Sequence, residues 1–180
     1  LGRFFLRACD GFVVMSDAVR EDLRALRRSD AGVRQIEHPV YERFGEGILQ
    51  KQARDRLDLP PEAPVALFFG FVREYKGLHV LLEAMPQVLK QVPGLHLLVA
   101  GEPYDDAERY RQIIDAHDLG ERVHWHADYI PSGDVPLYFS AADLVVQPYV
   151  SATQSGVAQI AFHFETPMIV TDVGGLAEVI

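Results

Sequence analysis

From residue 65 onward, apolar positions fall into short unbroken runs separated by longer stretches with a repeat near 3.6 residues. The runs VALFFG (65–70), HLLVAG (96–101), VHWHAD (123–128), LVVQPY (144–149) and MIVTDV (168–173) read as strands. Most are continuously apolar rather than alternating, as strands of a parallel sheet are when helices cover both faces. Between them, residues 76–92 place Leu78, Leu81, Leu82, Met85, Val88, Leu89 and Val92 along one helical face. The run DDAERYRQIIDAHDLG opens with acidic residues and closes at Gly120, both helix-end signals. SGDVPLYFSAAD and SGVAQIAFHFE supply two more helices, and GGLAEVI reads as the opening turns of another. Strands alternating with helices predict right-handed crossovers, hence an α/β fold with a doubly wound, Rossmann-like parallel sheet.

The first sixty residues are patterned differently. GFVVMS (11–16) predicts a strand, with Ser16 or Asp17 capping the helix DAVREDLRALRR. VRQIEHPVYERFG reads as extended, because Pro39 disfavours helix at His38. A short amphipathic helix, ILQKQARDRLDL, precedes PPEAP, a boundary before the main sheet. Residues 1–45 therefore read as the tail of a preceding domain plus a linker, and residues 46–180 as the main domain. Both ends read as cuts in a longer chain.

Composition narrows the function classes. The chain has 180 residues, enough for one domain with a real core at 48% hydrophobic content. A formal charge of −9 argues against nucleic-acid binding, which needs a basic footprint, but leaves room for a small anionic ligand. The single cysteine, Cys9, excludes an internal disulfide and a cysteine-rich metal site, and fits a reducing, cytoplasmic setting. No apolar run approaches the roughly 20 residues that span a bilayer.

In open α/β sheets ligands bind beyond the carboxyl ends of the strands. GFVREYKG (70–77) follows the first main strand and sets Arg73 and Lys76 around a helix start, where unpaired amide groups favour anions. A diphosphate fits; two solvated loop cations fit the spacing equally well. There is no Walker A loop and no G-x-G-x-x-G. SATQSG (151–156) follows the fourth strand. Thr153, Gln154 and Ser155 lead into Gly156 and Val157, whose amides open the next helix. An N-cap needs only one hydroxyl, so the polar cluster favours ligand contact over capping alone. TDVGG brings Gly174 and Gly175 to the same rim, with Glu178 either on a ligand or complementing a helix N-terminus. His124 and His126 share a strand face without a third ligand at metal spacing, so packing is the expectation. His163 is expected to be buried with a backbone partner, His38 to be structural, and Asp143 to end a helix. No G-x-S-x-G elbow or CxxC is present.

Three stretches, FFGFVREYKGLHVLLEAMPQVLKQVPGLHLLVAGE, YIPSGDVPLYFSAADLVVQPY and GVAQIAFHFETPMIVTDVGGLAEVI, resemble the C-terminal, donor-binding domain of family-4 retaining glycosyltransferases. The resemblance runs from about residue 65 to 180. It implies one half of a GT-B fold, with GFVVMSDAVREDL and IEHPVYERFG matching the end of an N-terminal domain and the interdomain connection. It implies a nucleotide-diphosphate sugar as donor, no metal or other cofactor, and an acceptor (polysaccharide, lipid or small molecule) that the sequence does not specify. By this resemblance Arg73 and Lys76 hold the diphosphate as catalytic cations. Gly70, Thr153, Gln154, Ser155, Gly156, Val157, Gly174, Gly175 and Glu178 line the donor site, and the nucleotide base lies near 126–129. The whole protein would be cytoplasmic, with any peripheral membrane attachment in the missing half. Two departures stand out. Phe71 occupies the place where many members carry arginine, and Thr153 and Ala161 replace a pair of glutamates that contact sugar and ribose. A scaffold domain that has lost activity, or a GT-B epimerase, are the competing readings.

Overall fold

The computed structural model describes residues 2–41 and 43–180. Five parallel strands form the main sheet: β3 (Val65–Phe69), β4 (His96–Ala100), β5 (Val123–His126), β6 (Leu144–Gln147) and β7 (Met168–Val170), in the order β5-β4-β3-β6-β7. Both faces of β3 and β4 are buried, which is why their sequences do not alternate. Val65, Leu67, Phe69, Leu98 and Ala100 face α3 (Gln50–Arg56), α6 (Val135–Ala141) and α7 (Gly156–His163). Ala66, Phe68, Leu97 and Val99 face α4 (Leu78–Gln91) and α5 (Ala107–Ala116). The edge strands differ from expectation: β5 is half-buried throughout, and β7 is shortened to three residues with Ile169 59% exposed.

The amino-terminal segment carries α1 (Gly2–Ala8), β1 (Phe12–Val14), α2 (Asp17–Arg27) and β2 (Val33–Gln35). β1 and β2 pair in parallel as a separate two-stranded sheet, so part of the expected extended run is a strand. Ser16 caps α2, its hydroxyl accepting from the Val19 amide at 3.3 Å.

Three further expectations are corrected. The helix predicted from residue 76 begins instead at Leu78, behind a 3₁₀ turn (Glu74–Lys76) and Gly77 at φ 71°. α5 ends at Ala116 rather than near Gly120, since Asp118 turns the chain at φ 53° and Leu119 is buried. The last turns are 3₁₀ (Ala177–Val179) rather than α-helix.

Asp143 does more than end α6. Its Oδ2 accepts from the Val65 amide at 2.7 Å and from Arg54 at 2.8 Å, while Gln50 donates to Oδ1 at 3.1 Å. The buried guanidinium of Arg54 also donates to the carbonyls of Ala141 and Pro61. One ion pair thus ties α3, the end of α6 and the start of β3 at the floor of the sheet, opposite the rim where ligands bind.

Candidate functional site

The strand order reverses between β3 and β6: the chain winds outward through β4 and β5, then returns to place β6 on the other side of β3. Loops leaving adjacent strands at such a switch diverge to opposite faces and open a crevice. The loops leaving β3 and β6 are GFVREYKG and PYVSATQSG, so topology brings the two candidate stretches together.

Main-chain contacts lock them. The Val150 amide donates to the Tyr75 carbonyl at 2.8 Å. Gly77 packs so closely on the Pro148 carbonyl that a side-chain carbon there would collide with it, and its φ of 71° disfavours other residues as well. This packing turns the Lys76 side chain back over the strand ends. A carbon added to Gly70 would lie 2.9 Å from Lys76 Nζ and 3.5 Å from a methyl of Val157. The amine therefore sits beside the first turn of α7. It lies 5.8 Å from the ring centre of Tyr149, which is buried. No carboxylate lies within 4.0 Å of it among the described residues. Burial, followed by the positive charge of Arg73, lowers its pKa to about 8.

Arg73 is exposed and stands off this contact. Its guanidinium lies over the Tyr104 ring at 4.6 Å and lines a hollow of about 490 Å³ with Tyr75, His79, Asp105, Val150 and Ser151. Phe71, where a family arginine was expected, meets Tyr104 edge-on at 4.8 Å and stacks with Tyr129 at 6.3 Å. A neighbouring hollow of about 130 Å³ is lined by Phe69, Gly70, Phe71, Gly101 and Tyr129, beside the strand ends expected to hold the nucleotide base. No single one of these hollows is lined by Arg73, Lys76 and Gly156 together. Lys76, not the arginine, joins the two loops. Two further hollows, one between α1 and α2 and one beneath residues 45–48, lie away from the switch point.

The polar cluster divides its labour. Ser155 caps α7: its hydroxyl accepts from the Val157 amide at 3.2 Å and bonds the Tyr149 hydroxyl at 3.2 Å. Burial pushes the Tyr149 phenol up to about 12, keeping it neutral. The Val157 amide is thus engaged by the cap, whereas Gly156 remains exposed, with the Tyr41 ring 3.5 Å from where its side chain would be. Thr153 is exposed, and Gln154 buries an Nε2 without a partner. Gly174 and Gly175 pack on the carbonyls of Ala152 and Thr153, bracing this loop from behind; Gly174 has φ 51°. Glu178 lies elsewhere than expected. Its carboxylate accepts from the Asp17 and Ala18 amides at 2.6 and 3.0 Å, and so caps α2.

His124 and His126 pack as expected, whereas His163, expected to be buried, is only half-buried although it has its backbone partner. His96 Nδ1 and His124 Nε2 are 2.8 Å apart, and Arg122 reaches His96 Nε2 at 3.2 Å. Arginine can only donate, so His96 donates from Nδ1 and His124 accepts. His126 bonds Tyr138 and His163 bonds the Gly45 carbonyl. Among the described residues, no cluster of three or more His, Cys, Asp or Glu side chains is arranged to hold a metal ion, and no helix is long and apolar enough to cross a membrane. Tyr149, Tyr104 and Tyr41 belong to no sequence motif that marks a site. Of the three, only Tyr149 had a local signal, at the end of a strand that carries a candidate loop.

A parallel sheet of five strands flanked by helices matches one half of a GT-B glycosyltransferase. The family described as "Glycosyl transferases group 1" matches residues 63–180, and the chain belongs to it. D-inositol 3-phosphate glycosyltransferase of Mycobacterium marinum is 31% identical over 176 residues, covering 93% of this chain and 36% of that protein. The chain thus spans about a third of the length of that curated relative. Sucrose-phosphate synthase of Thermosynechococcus elongatus superposes with TM-score 0.75 at 29% identity, over 97% of this chain and 43% of that one. The Anabaena protein HepE, in a structure with UDP and glucose, superposes with TM-score 0.82 at 17% identity, over all of this chain and 51% of that one, which shows a common fold.

Proposed function

We propose that this chain is the donor-binding half of a family-4 retaining glycosyltransferase, which transfers a sugar from a nucleotide-diphosphate sugar to a separate acceptor. The observation that carries the reading is Lys76: an amine desolvated beside a helix start, at the switch point, with no carboxylate within 4.0 Å among the described residues. Removing such a charge from water is unfavourable unless an anion joins it, and a diphosphate supplies one. The UDP bound by HepE, and the sugar chemistry in the names of the relatives, support that ligand class.

In this reading Lys76 neutralises the departing diphosphate, and Arg73 swings from Tyr104 to add a second cation as charge develops. The exposed Gly156 amide, Thr153 and Gln154 complete the contacts. Ser155 and Val157 act by fixing the turn, and Gly174 and Gly175 by bracing it. Thr153 and Ala161, in place of glutamates, leave the sugar hydroxyls with neutral partners and weaken their grip. The cations take the role a metal would play. Residues 46–180 form the donor domain, and residues 1–45 belong with a preceding domain that contributes the acceptor site in a cytoplasmic, peripherally attached whole protein. Titration calorimetry with UDP, GDP, ADP and their sugars tests this. Binding of one base with preference for its sugar form is expected, and Lys76→Met abolishes it. Silence across the panel in the full-length protein would favour a scaffold that has lost its activity.

A further inference from the structure

The chain carries 17 basic side chains, of which only Lys51, Lys76 and Lys90 are lysines. Arginine serves as the cation nearly everywhere else, yet a lysine stands at the most sequestered cationic position of the rim. Arginine keeps its proton, whereas a lysine that loses solvation becomes a neutral nucleophile.

The surroundings of Nζ suit that chemistry. The bare backbone of Gly70 and the Tyr149 ring flank it, a Val157 methyl borders the same space beside Gly70, and Arg73 adds a like charge from the same loop. The Tyr149 phenol beside the amine is itself held neutral by burial. At pH 7 about a tenth of amines titrating near 8 are neutral, against roughly one in 2,500 for an ordinary lysine. Lower basicity gives back part of that advantage and leaves about a tenfold lead over an ordinary lysine.

We propose that Lys76 is an acylation site for small acyl phosphates, which present a reactive carbonyl next to an anionic group suited to this cationic rim. The lone pair of the neutral amine adds to the acyl carbon and the carbon–oxygen bond to phosphate breaks. Inorganic phosphate leaves, and the nitrogen gives up one proton to solvent. An amide and phosphate are the only products. The acylated side chain has lost its charge and fills the space beside Gly70, so acylation closes the nucleotide site. The phosphate-holding half of this inference rests on the diphosphate reading given above; the reactivity of the amine does not.

The test treats the intact chain with acetyl phosphate at pH 7, and separately with acetic anhydride, which lacks the phosphate. Peptide mass spectrometry follows acetylation at Lys51, Lys76 and Lys90. The expected result is Lys76 acetylated more than tenfold faster than the other two by acetyl phosphate, a lead that falls to about tenfold with the anhydride and is suppressed by inorganic pyrophosphate. Acetylation of Lys76 by acetyl phosphate no faster than of Lys51 and Lys90 would overturn the proposal. So would a lead equal in both reagents and indifferent to pyrophosphate. Titration of the unmodified full-length protein with UDP, GDP and ADP runs in parallel and judges the donor reading separately. Nucleotide binding without a Lys76 lead sinks acylation alone, and a Lys76 lead without nucleotide binding sinks the donor reading alone.

Discussion

Lys76 lowers the stability of the folded chain at neutral pH. Its folded pKa, about 8, lies below that of an unfolded lysine, so between roughly pH 8 and 10.4 the unfolded chain binds more protons than the folded one. Stability contributed at this position therefore rises with pH across that window, and below pH 8 the folded state carries the full cost of a confined charge. Lys76→Met keeps the length of the side chain and removes the charge. It should stabilise the chain by on the order of 1–3 kcal/mol at pH 7, with the gain shrinking towards pH 10, as read by urea midpoints at both pH values. A destabilised Lys76→Met at pH 7 would mean the amine is better solvated than its surroundings imply. The same residue shows what a sequence can disclose. Lys-Gly after an apolar strand announced a rim cation, but the partners of the amine, Tyr149 and Val157, lie far along the chain and are joined to it only by strand order. Glu178 marks the opposite case: a charge near a helix start was legible, while which helix it serves depended on a contact spanning 161 residues.

Among the elements, β3 and β4 were legible because two covered faces leave them apolar throughout, His96 at the start of β4 excepted, whereas β5 and β7 were harder to bound. An edge strand pairs on one side only, and its last residues fray into loop when solvent satisfies them as well as a neighbour does. The boundary between the 3₁₀ turn and α4 was hidden because apolar periodicity runs through Gly77 without a break. The Arg54–Asp143 pair sets how α3, α6 and β3 meet. Asp143→Ala removes the counter-ion of a guanidinium only 3% exposed and strips the Val65 amide of its acceptor. Because the Asp143 side chain itself is 43% exposed, the expected loss is about 2–3 kcal/mol, below that of a fully enclosed pair. A denaturant midpoint unchanged in Asp143→Ala would show that solvent replaces both contacts.

At the scale of the whole molecule, the amino-terminal unit is fastened to the rim at few points. Glu178 caps α2, the Ser16 hydroxyl reaches the Thr153 carbonyl at 3.4 Å, and Gly175 packs on Ser16. Glu178→Ala should cost about 1 kcal/mol, a fall of roughly 2–4 °C in Tm, while protease sensitivity rises across residues 9–35 and not within the sheet. Uniform protection along the chain would show that the fastening lies elsewhere. The lock between the two rim loops has a kinetic corollary. Since Gly77 rests on Pro148 and Tyr75 holds the Val150 amide, the segment bearing the amine cannot shift without carrying the serine-rich turn along with it. A molecule arriving at either segment displaces both in a single stroke, so capture and release at this rim are governed by one hinge rather than by two independent flaps.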